Sequence, residues 1–269
     1  MTNFEFILVF LVIGSGCIWL ADKYFFANRR LNNTAEKNIK PPLLVDYAKS
    51  FFPVLLIVLL IRSFIGQLYT VPTGSLEPTV NIGDYLIVNQ FSYGLRLPLW
   101  HWQIIKTGTP KVGDIALFHF PVNPKADLIK RVIGVPGDKI SYINKVLYVN
   151  GVEAKQQLIG KTTFGDPGLQ PWSVNIMQED LMEKKHLIYL CADSCPGEQD
   201  YNFYNLTVPQ HMYFMMGDNR DDSDDSRDWG FVPEKDLIGK AEFVVFSWNS
   251  NANWLHKIRW SRIGKGLNS

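Results

Sequence analysis

The stretch DLIKRVI, residues 127–133, has the composition of a β-strand and decides the fold class. Turn residues bound it, with Pro136-Gly137-Asp138 on its C-terminal side. Similar stretches recur along the chain, at 84–89 (DYLIVN), 114–120 (DIALFHF), 145–149 (KVLYV), 186–191 (HLIYLC), 212–216 (MYFMM) and 240–246 (KAEFVVF). Asn150-Gly151 is a hairpin turn signal. Because no long helical periodicity occurs in this region, the sequence predicts an all-β domain.

Two apolar stretches precede the strands. Phe4–Leu20 spans 17 residues without a Lys or Arg, and a second apolar core at Phe51–Ile61 extends through Arg62 to about Tyr69. A membrane-spanning helix needs roughly 20 apolar residues, with about 17 as the lower limit, and a long Arg side chain near one end can reach the interface. We therefore predict transmembrane helices at 1–21 and 51–69. The alternatives are buried core helices or an N-terminal signal peptide, which lacks its usual basic residues here.

The basic residues near the two apolar stretches are distributed asymmetrically. None precedes the first stretch, and after Arg62 the next one is Arg96, whereas residues 21–50 contain six: Lys23, Arg29, Arg30, Lys37, Lys40 and Lys49. The positive-inside rule then predicts that 22–50 is a cytoplasmic loop and that 70–269 forms an outer domain. The total charge is balanced, with 27 basic and 26 acidic residues, so we expect no nucleic-acid partner.

Two cysteines of the predicted outer region, Cys191 and Cys195, lie four residues apart. In an oxidising compartment they can form a small disulfide loop if their geometry permits it. Two free thiols are one alternative. A zinc site is another, but it would require His186 and His211 to converge on the pair. Our expectation for the chain as a whole includes no metal and no cofactor.

The segment VPTGSLEPT, residues 71–79, begins a few residues beyond the second apolar stretch. Gly74 lets another group approach the backbone closely, and Pro72 and Pro78 stiffen the flanks. Ser75 would therefore be held on a loop of defined shape. By itself this pattern is a weak signal, because serines in such turns are common.

Lys130 lies inside the predicted strand 127–133. Strand alternation places it on one face with Leu128 and Val132. Apolar surroundings disfavour an ammonium and lower its pKa by several units, and only a neutral amine can activate a serine. A solvated lysine at a strand edge is the alternative. A third segment, GDNRDDSDDSRDWGFVP at 217–233, is dense in short polar side chains, but its spacing does not fit a calcium loop.

In this order and at these intervals, the three segments and GDYLIVN at 83–89 resemble the conserved boxes of bacterial type I signal peptidases. The two-span layout resembles the Gram-negative form of that family. The resemblance implies a catalytic domain of antiparallel sheets with the Ser-Lys fold of signal peptidases and repressors, in which 142–213 is an inserted β subdomain. It implies a multi-pass inner-membrane serine endopeptidase with a periplasmic catalytic domain. Its partners would be signal peptides of exported preproteins cut after Ala-x-Ala, the lipid bilayer and the export machinery.

The resemblance also assigns roles to single residues. Ser75 matches the nucleophile and Lys130 the general base, Thr73 stands where a serine usually helps to line the oxyanion hole, and Ser223 matches the serine that orients the lysine. Asp225 and Arg227 match a supporting pair. The positions that match the substrate-binding surface are Tyr69, Val71, Pro72, Leu76, Val80, Asp127, Leu128 and Ile129. Departures from the family pattern are Thr73 for serine, Leu76 for methionine, Asp222 for asparagine and Asp228 for an aromatic residue.

Other classes fit the sequence less well. Lys106-Thr107-Gly108 resembles one motif of penicillin-binding enzymes, but the chain has no Ser-x-x-Lys motif. No G-x-S-x-G surrounds Ser75, and the spacing of the five histidines favours none of them as a triad base. A self-cleaving repressor on the same Ser-Lys scaffold would not need two membrane spans. A membrane-anchored β adaptor that binds peptides without cutting them is the non-enzymatic alternative.

Overall fold

The computed structural model describes residues 3–26, 41–60, 66–96, 103–165, 170–193, 195–196, 198–250 and 252–267. Its contacts divide the chain into two compact units. One comprises Met1–Gly66 with Gly94–Lys106, and the other comprises Gln67–Tyr93 with Thr107–Ser269.

The first unit consists of two apolar helices and a short hairpin. Its elements are α1 (Asn3–Ala21), which continues into a π-helical turn (Asp22–Phe26), α2 (Leu43–Leu60), β3 (Leu95–Arg96) and β4 (Gln103–Ile105). The helices pack together where Gly16 leaves room for the ring of Phe52, which also lies 5.5 Å from that of Trp19. Most other large apolar side chains of both helices are exposed. Both helices are long and apolar enough to cross a membrane.

The predicted bounds of the second span, 51–69, are wrong. The helix α2 begins eight residues earlier, at Leu43, where the Pro42 carbonyl accepts hydrogen bonds from the N–H groups of Val45 and Asp46. The apolar core at 51–61 does not include the first turns of the helix, where the acidic residue Asp46 favours helix formation. The helix ends at Leu60, and Gln67–Thr70 is already a strand. Arg62 lies outside the described residues.

The second unit is built on a seven-stranded antiparallel sheet. Its strand order is β1-β2-β16-β5-β6-β14-β15. The strands are β1 (Gln67–Thr70), β2 (Asp84–Asn89), β5 (Ile115–Phe120), β6 (Asn123–Gly134), β14 (Met212–Met216), β15 (Val232–Pro233) and β16 (Leu237–Ser247). The prediction of an all-β domain is confirmed, because all seven stretches with strand composition are strands.

Two smaller sheets are inserted between β6 and β14, which are neighbours in the large sheet. The first has the order β13-β7-β8-β9 and the second β10-β11-β12. Their strands are β7 (Lys139–Ile143), β8 (Val146–Val149), β9 (Val152–Glu153), β10 (Lys155–Phe164), β11 (Trp172–Leu181), β12 (Lys184–Cys191) and β13 (Phe203–Thr207). Asn150 and Gly151, at φ of 53° and 80°, form the turn between β8 and β9.

The large sheet curls strongly. Three strands separate the edge strand β1 from β6, yet the Tyr69 hydroxyl on β1 donates a hydrogen bond to the Asp127 carbonyl on β6 at 3.0 Å. Val71, which follows β1, and Ile129 on β6 belong to one buried cluster. The curl therefore brings β6 beside the loop that follows β1.

The two cysteines of the second unit are joined. Cys191, the last residue of β12, forms a disulfide with Cys195, and their Cα atoms are 6.0 Å apart. The disulfide uses the thiols that the zinc alternative requires. His186 lies instead beside Glu179 and His211 beside Glu234, and the described residues contain no cluster of His, Cys, Asp and Glu suited to a metal ion.

Candidate active site

Ser75 lies on the loop between β1 and β2, which neighbouring segments hold through its backbone. The Ser75 carbonyl accepts a hydrogen bond from the N–H of Asn219 at 3.1 Å. The Gly74 carbonyl accepts from the N–H of Glu77 at 3.0 Å and from Asn219 Nδ2 at 3.4 Å. Leu76 is fully buried beneath the loop, whereas Ser75 itself is partly exposed. The serine is thus accessible on a firmly held backbone.

Lys130 lies on β6 and is only 3% exposed. Strand alternation holds here, because Leu128 and Val132 pack in one apolar cluster and Ile129 in another. Burial lowers the pKa of Lys130 to about 8, although the nearby carboxylate of Asp225 partly opposes this effect. Near pH 8, about half of the molecules therefore carry a neutral amine at this position.

A hydrogen-bonded chain runs from Lys130 into the segment that follows β14. Lys130 Nζ donates to Ser223 Oγ at 2.9 Å, and Ser223 Oγ donates to Asp225 Oδ2 at 2.8 Å. Asp225 also accepts from the N–H of Gly217 and from Arg227 Nε, and it caps the short helix α3 (Ser226–Trp229). Burial alone would raise the pKa of Asp225, but the charge of Arg227 and these hydrogen bonds lower it. The carboxylate therefore stays ionised and fixes the direction of the Ser223 hydroxyl.

Gly217 is the point at which the Ser75 loop and the Ser223 segment meet. A Cβ atom on Gly217 would lie 2.2 Å from Ser223 Oγ and 2.4 Å from the Ser75 carbonyl oxygen. The sequence singles out Gly217 only as the first residue of the polar segment 217–233. Its position directly after the strand 212–216 was the only signal available, and it does not reveal this close approach.

The hydroxyl of Ser75 is not bonded to the amine of Lys130 within the part of the chain that the structure describes. Ser75 Oγ has Thr73 Oγ1 as a neighbour at 3.5 Å, while Lys130 Nζ bonds to Ser223. Catalytic hydrogen bonds are often loose in ligand-free sites and tighten only when substrate binds. The structure thus brings Thr73 to Ser75, and Lys130, Ser223, Asp225 and Arg227 to one another.

A second buried network, which the sequence analysis did not predict, supports the same segment. Arg131, next to Lys130, binds both carboxylate oxygens of Asp218 at 2.7 Å and the Gly113 carbonyl at 2.8 Å. Arg220 binds both carboxylate oxygens of Glu179. Burial would raise the pKa of Asp218, but the Arg131 charge holds it below its usual value. These pairs fix residues 218–220 on both sides of Asn219.

The predicted substrate-binding residues fall into two groups. Tyr69, Pro72, Asp127 and Leu128 are at least partly exposed. The others lie in a buried core cluster: Val71, Leu76, Val80 and Ile129. Burial of their apolar side chains removes them from water. Their part in substrate binding stays a prediction.

One side of β6 has no strand partner next to Lys130 among the described residues. Among the described residues, β14 pairs with β6 only at Arg131, Val132 and Gly134, whereas β5 pairs along the other side as far as Asn123. The hydroxyl of Tyr69 contacts the backbone of Asp127 in this region. An extended peptide could therefore add to the free stretch of β6, with its backbone near Ser75.

The sequence of the chain is similar to those of known proteins. The family "Signal peptidase, peptidase S26" matches residues 44–248. Signal peptidase I of Pseudomonas aeruginosa is 41% identical, with 91% of this chain and 93% of the relative covered. Signal peptidase I of Pseudomonas fluorescens is 39% identical, with 97% and 98% covered. A crystal structure of a signal peptidase I from Enterococcus faecalis is 29% identical and covers 49% of this chain and 96% of its own, but its TM-score of 0.31 adds nothing about the fold.

Proposed function

We propose that this chain, which belongs to the signal peptidase family S26, uses Ser75 as nucleophile and Lys130 as general base to remove signal peptides from preproteins. The family and the relatives named signal peptidase I make the chain a serine protease of this kind. The assignment of the two residues is carried by one observation. A lysine buried on β6 bonds to Ser223, and Ser223 and the Ser75 backbone touch the same glycine, Gly217.

The chemistry follows from the protonation state of Lys130. The neutral amine takes the proton of the Ser75 hydroxyl as the oxygen attacks the scissile carbonyl. The N–H of Ser75 and the hydroxyl of Thr73 stabilise the oxyanion, and loss of one such donor typically costs about 3–4 kcal/mol of barrier. The Lys130 ammonium then protonates the departing amine, which leaves an acyl-enzyme. Lys130 next activates a water molecule, which releases the signal peptide and restores Ser75.

The open stretch of β6 supports recognition of an extended peptide. Main-chain hydrogen bonds to Asp127 and Ile129 would hold the substrate, and Tyr69, Pro72 and Leu128 would contact its side chains. Val71 and Leu76, which belong to the buried core cluster, would form the shallow floor of this surface. Shallow sites of this kind accept small side chains, which supports cleavage after Ala-x-Ala sequences.

The membrane arrangement rests on α1, α2 and the basic residues between them. The chain would cross the inner membrane twice, with the linking residues in the cytoplasm and the β domain in the periplasm. Labelling of single cysteines introduced at Lys37 and at Lys125 by a membrane-impermeant thiol reagent tests this orientation. In intact spheroplasts we expect labelling only at position 125, and labelling at position 37 would reverse the topology.

A lipid-contacting surface near the C-terminus is part of the same proposal. Trp254 and Trp260 are 80% and 73% exposed, and Lys257 lies between them in the sequence. Aromatic and basic side chains together favour the membrane interface. Replacing both tryptophans with Ser should slow the cleavage of membrane-embedded preproteins but not of short peptides, and equal rates on both would reject the surface. Contact with the export machinery follows from the substrate class.

The decisive experiment uses a preprotein with an Ala-x-Ala site and the detergent-solubilised full chain. We expect the wild type to cut after the second alanine, and Ser75→Ala and Lys130→Ala to be inactive although folded. Lys125→Ala is the matched control, because Lys125 is an exposed lysine on the same strand. Activity of Lys130→Ala near the wild-type rate would remove Lys130 as the base. A wild type that binds but never cuts would favour the peptide-binding adaptor, which no observation supports at present.

A further inference from the structure

The aromatic ring of Phe164 brings the inserted three-stranded sheet β10–β12 into contact with the nucleophile loop. Phe164, the last residue of β10, is 6% exposed. A Cβ atom on Gly74 would lie 2.7 Å from its Cζ and 2.8 Å from its Cε2. Gly74 does not adopt a left-handed backbone conformation. A glycine is therefore needed here because there is no room for a side chain, and not because the backbone angles require it. The Phe164 ring therefore occupies the space that a side chain at position 74 would need.

The Phe164 ring is itself held in place by its own sheet. The Trp172 ring on β11 meets it edge-on at 5.3 Å, and the Tyr189 ring on β12 lies 6.1 Å away. Aromatic pairs at these distances and angles contribute to packing beyond simple burial of area. The three rings thus form a rigid support, and the position of Phe164 is determined by elements that carry none of the proposed catalytic residues.

The same sheet also holds the other side of the nucleophile loop. The N–H of Tyr189 donates to the Asp218 carbonyl at 2.9 Å, and the Tyr189 carbonyl accepts from the N–H of Arg220 at 3.1 Å. Between these two residues lies Asn219, which binds the carbonyls of both Gly74 and Ser75. The Gly74–Ser75 backbone is therefore clamped between the Phe164 ring and Asn219, and β12 supports both.

We propose that Phe164 is a positioning residue for peptide cleavage. Resting on the proposed function, its ring fixes the Gly74–Ser75 peptide group, so that the N–H of Ser75 and the Ser75 hydroxyl keep their places relative to the scissile carbonyl. Phe164 touches no reacting atom. Because this one peptide group carries both the nucleophile and an oxyanion donor, a shift of about 1 Å is expected to reduce kcat by roughly 10²-fold.

The test is a size-swap cycle in the full-length, detergent-solubilised enzyme with a fluorogenic Ala-x-Ala peptide. The variants are Gly74→Ala, Phe164→Leu and the double variant. Leucine lacks the Cε and Cζ atoms that crowd position 74, so the double variant has room for the new methyl group. Gly160→Ala is the control for Gly74→Ala. Gly160 lies on β10, the strand that carries Phe164, and a Cβ atom at position 160 would meet no other group within 4 Å. Phe203→Leu controls for loss of a ring from another inserted strand, β13.

We expect Gly74→Ala to lower kcat by roughly 10²-fold and Phe164→Leu by roughly 10-fold, with KM almost unchanged in both. The double variant should recover at least about 5-fold of kcat relative to Gly74→Ala. Phe164→Tyr should be worse than Phe164→Leu, because it keeps the ring and adds a hydroxyl at Cζ, the ring atom nearest to the Gly74 Cβ position. Both control variants should keep the wild-type kcat.

Three results would overturn the inference. They are an unchanged kcat in Gly74→Ala and Phe164→Leu, a double variant no better than Gly74→Ala, and a loss in Phe203→Leu equal to that in Phe164→Leu. In each case Ser75→Ala is measured beside the set. If Ser75→Ala is inactive, only the role of Phe164 fails, whereas an active Ser75→Ala means that the proposed function fails.

Discussion

Lys130 donates a hydrogen bond to Ser223, and the hydroxyl of Ser223 points away from it, towards Asp225. This direction matters for a base. A neutral amine has two hydrogens and one lone pair, and a partner that accepts one hydrogen leaves the lone pair free for another group. Ser223 would therefore orient Lys130 without occupying the lone pair with which the proposed base takes a proton.

The pH dependence of cleavage should report the protonation of Lys130. Burial lowers its pKa to about 8, so the amine is charged and inactive below this pH and neutral above it. We expect kcat/KM to rise about tenfold per pH unit on the acid side and to level off above about pH 8. Rates measured with a peptide substrate between about pH 6 and pH 10 test this expectation. A flat profile across that range would mean that Lys130 is not the base.

Removing a negative charge near Lys130 should move this profile. Asp224 is exposed, and its charge raises the pKa of Lys130. In Asp224→Asn the pKa of Lys130 should therefore fall, and the midpoint of the acid limb should move to lower pH. Asp193→Asn, another exposed aspartate, should leave the midpoint unchanged. A shift to higher pH in Asp224→Asn would contradict the charge argument.

Any side chain at position 217 should separate the two halves of the site. The Cβ atom in Gly217→Ala would collide with Ser223 Oγ and with the Ser75 carbonyl. Since the displacement reaches the nucleophile and the residue that orients the base, kcat should fall by roughly 10²-fold or more. Gly266→Ala, where a Cβ has open space, is the matched control. Wild-type kcat in a folded Gly217→Ala protein would show that the loop tolerates the shift.

The Arg131–Asp218 pair should contribute to stability rather than to chemistry. Asp218→Asn leaves the buried Arg131 charge without its partner and should lower the free energy of unfolding by about 3–5 kcal/mol. Glu198→Gln, which breaks the more exposed pair with Lys145, should cost less than about 1 kcal/mol. Thermal unfolding followed by tryptophan fluorescence compares the two. Equal losses of unfolding free energy in Asp218→Asn and Glu198→Gln would show that burial of the Arg131–Asp218 pair does not increase its effect on stability.

The contribution of the Arg131–Asp218 pair to the free energy of unfolding depends on pH, and the lowered pKa of Asp218 determines the direction of this dependence. Its contribution is present above the usual aspartate pKa and is lost as the pH falls through the lower value in the folded protein. Wild type and Asp218→Asn should therefore differ most at neutral pH and converge in acid. A difference that grows as the pH falls would contradict this assignment.

The strands were predictable because their composition and their turn residues agree. The stretches 84–89 and 212–216 have the bounds of β2 and β14, and Asn150-Gly151 forms the expected turn. The second helix was placed eight residues too late because Asp46 and Lys49 interrupt the apolar run. Hydrophobicity alone does not show that a helix continues through charged residues in its first turns.

The candidate site was predictable only as separate segments. The local sequence and the family resemblance single out Ser75, Lys130 and Ser223, but neither reveals what brings them together. Gly217 and Phe164 act through close packing, which depends on the arrangement of three sheets. Burial of Val71 and Leu76 was also hidden, because an apolar residue in a loop can face either a substrate or the core.

The pairing of β6 with β14 has a consequence for the order in which the proposed site is completed during synthesis of the chain. Ser75 comes first in the sequence, then Lys130, and Ser223 only after the whole inserted region, so the contact between Lys130 and Ser223 joins segments that are synthesised far apart. Until Ser223 and Asp225 have been synthesised, Lys130 lacks the hydrogen-bonded partners that orient it in the full chain. The proposed site would therefore be completed late in synthesis, and we expect a product truncated before Ser223 to be inactive.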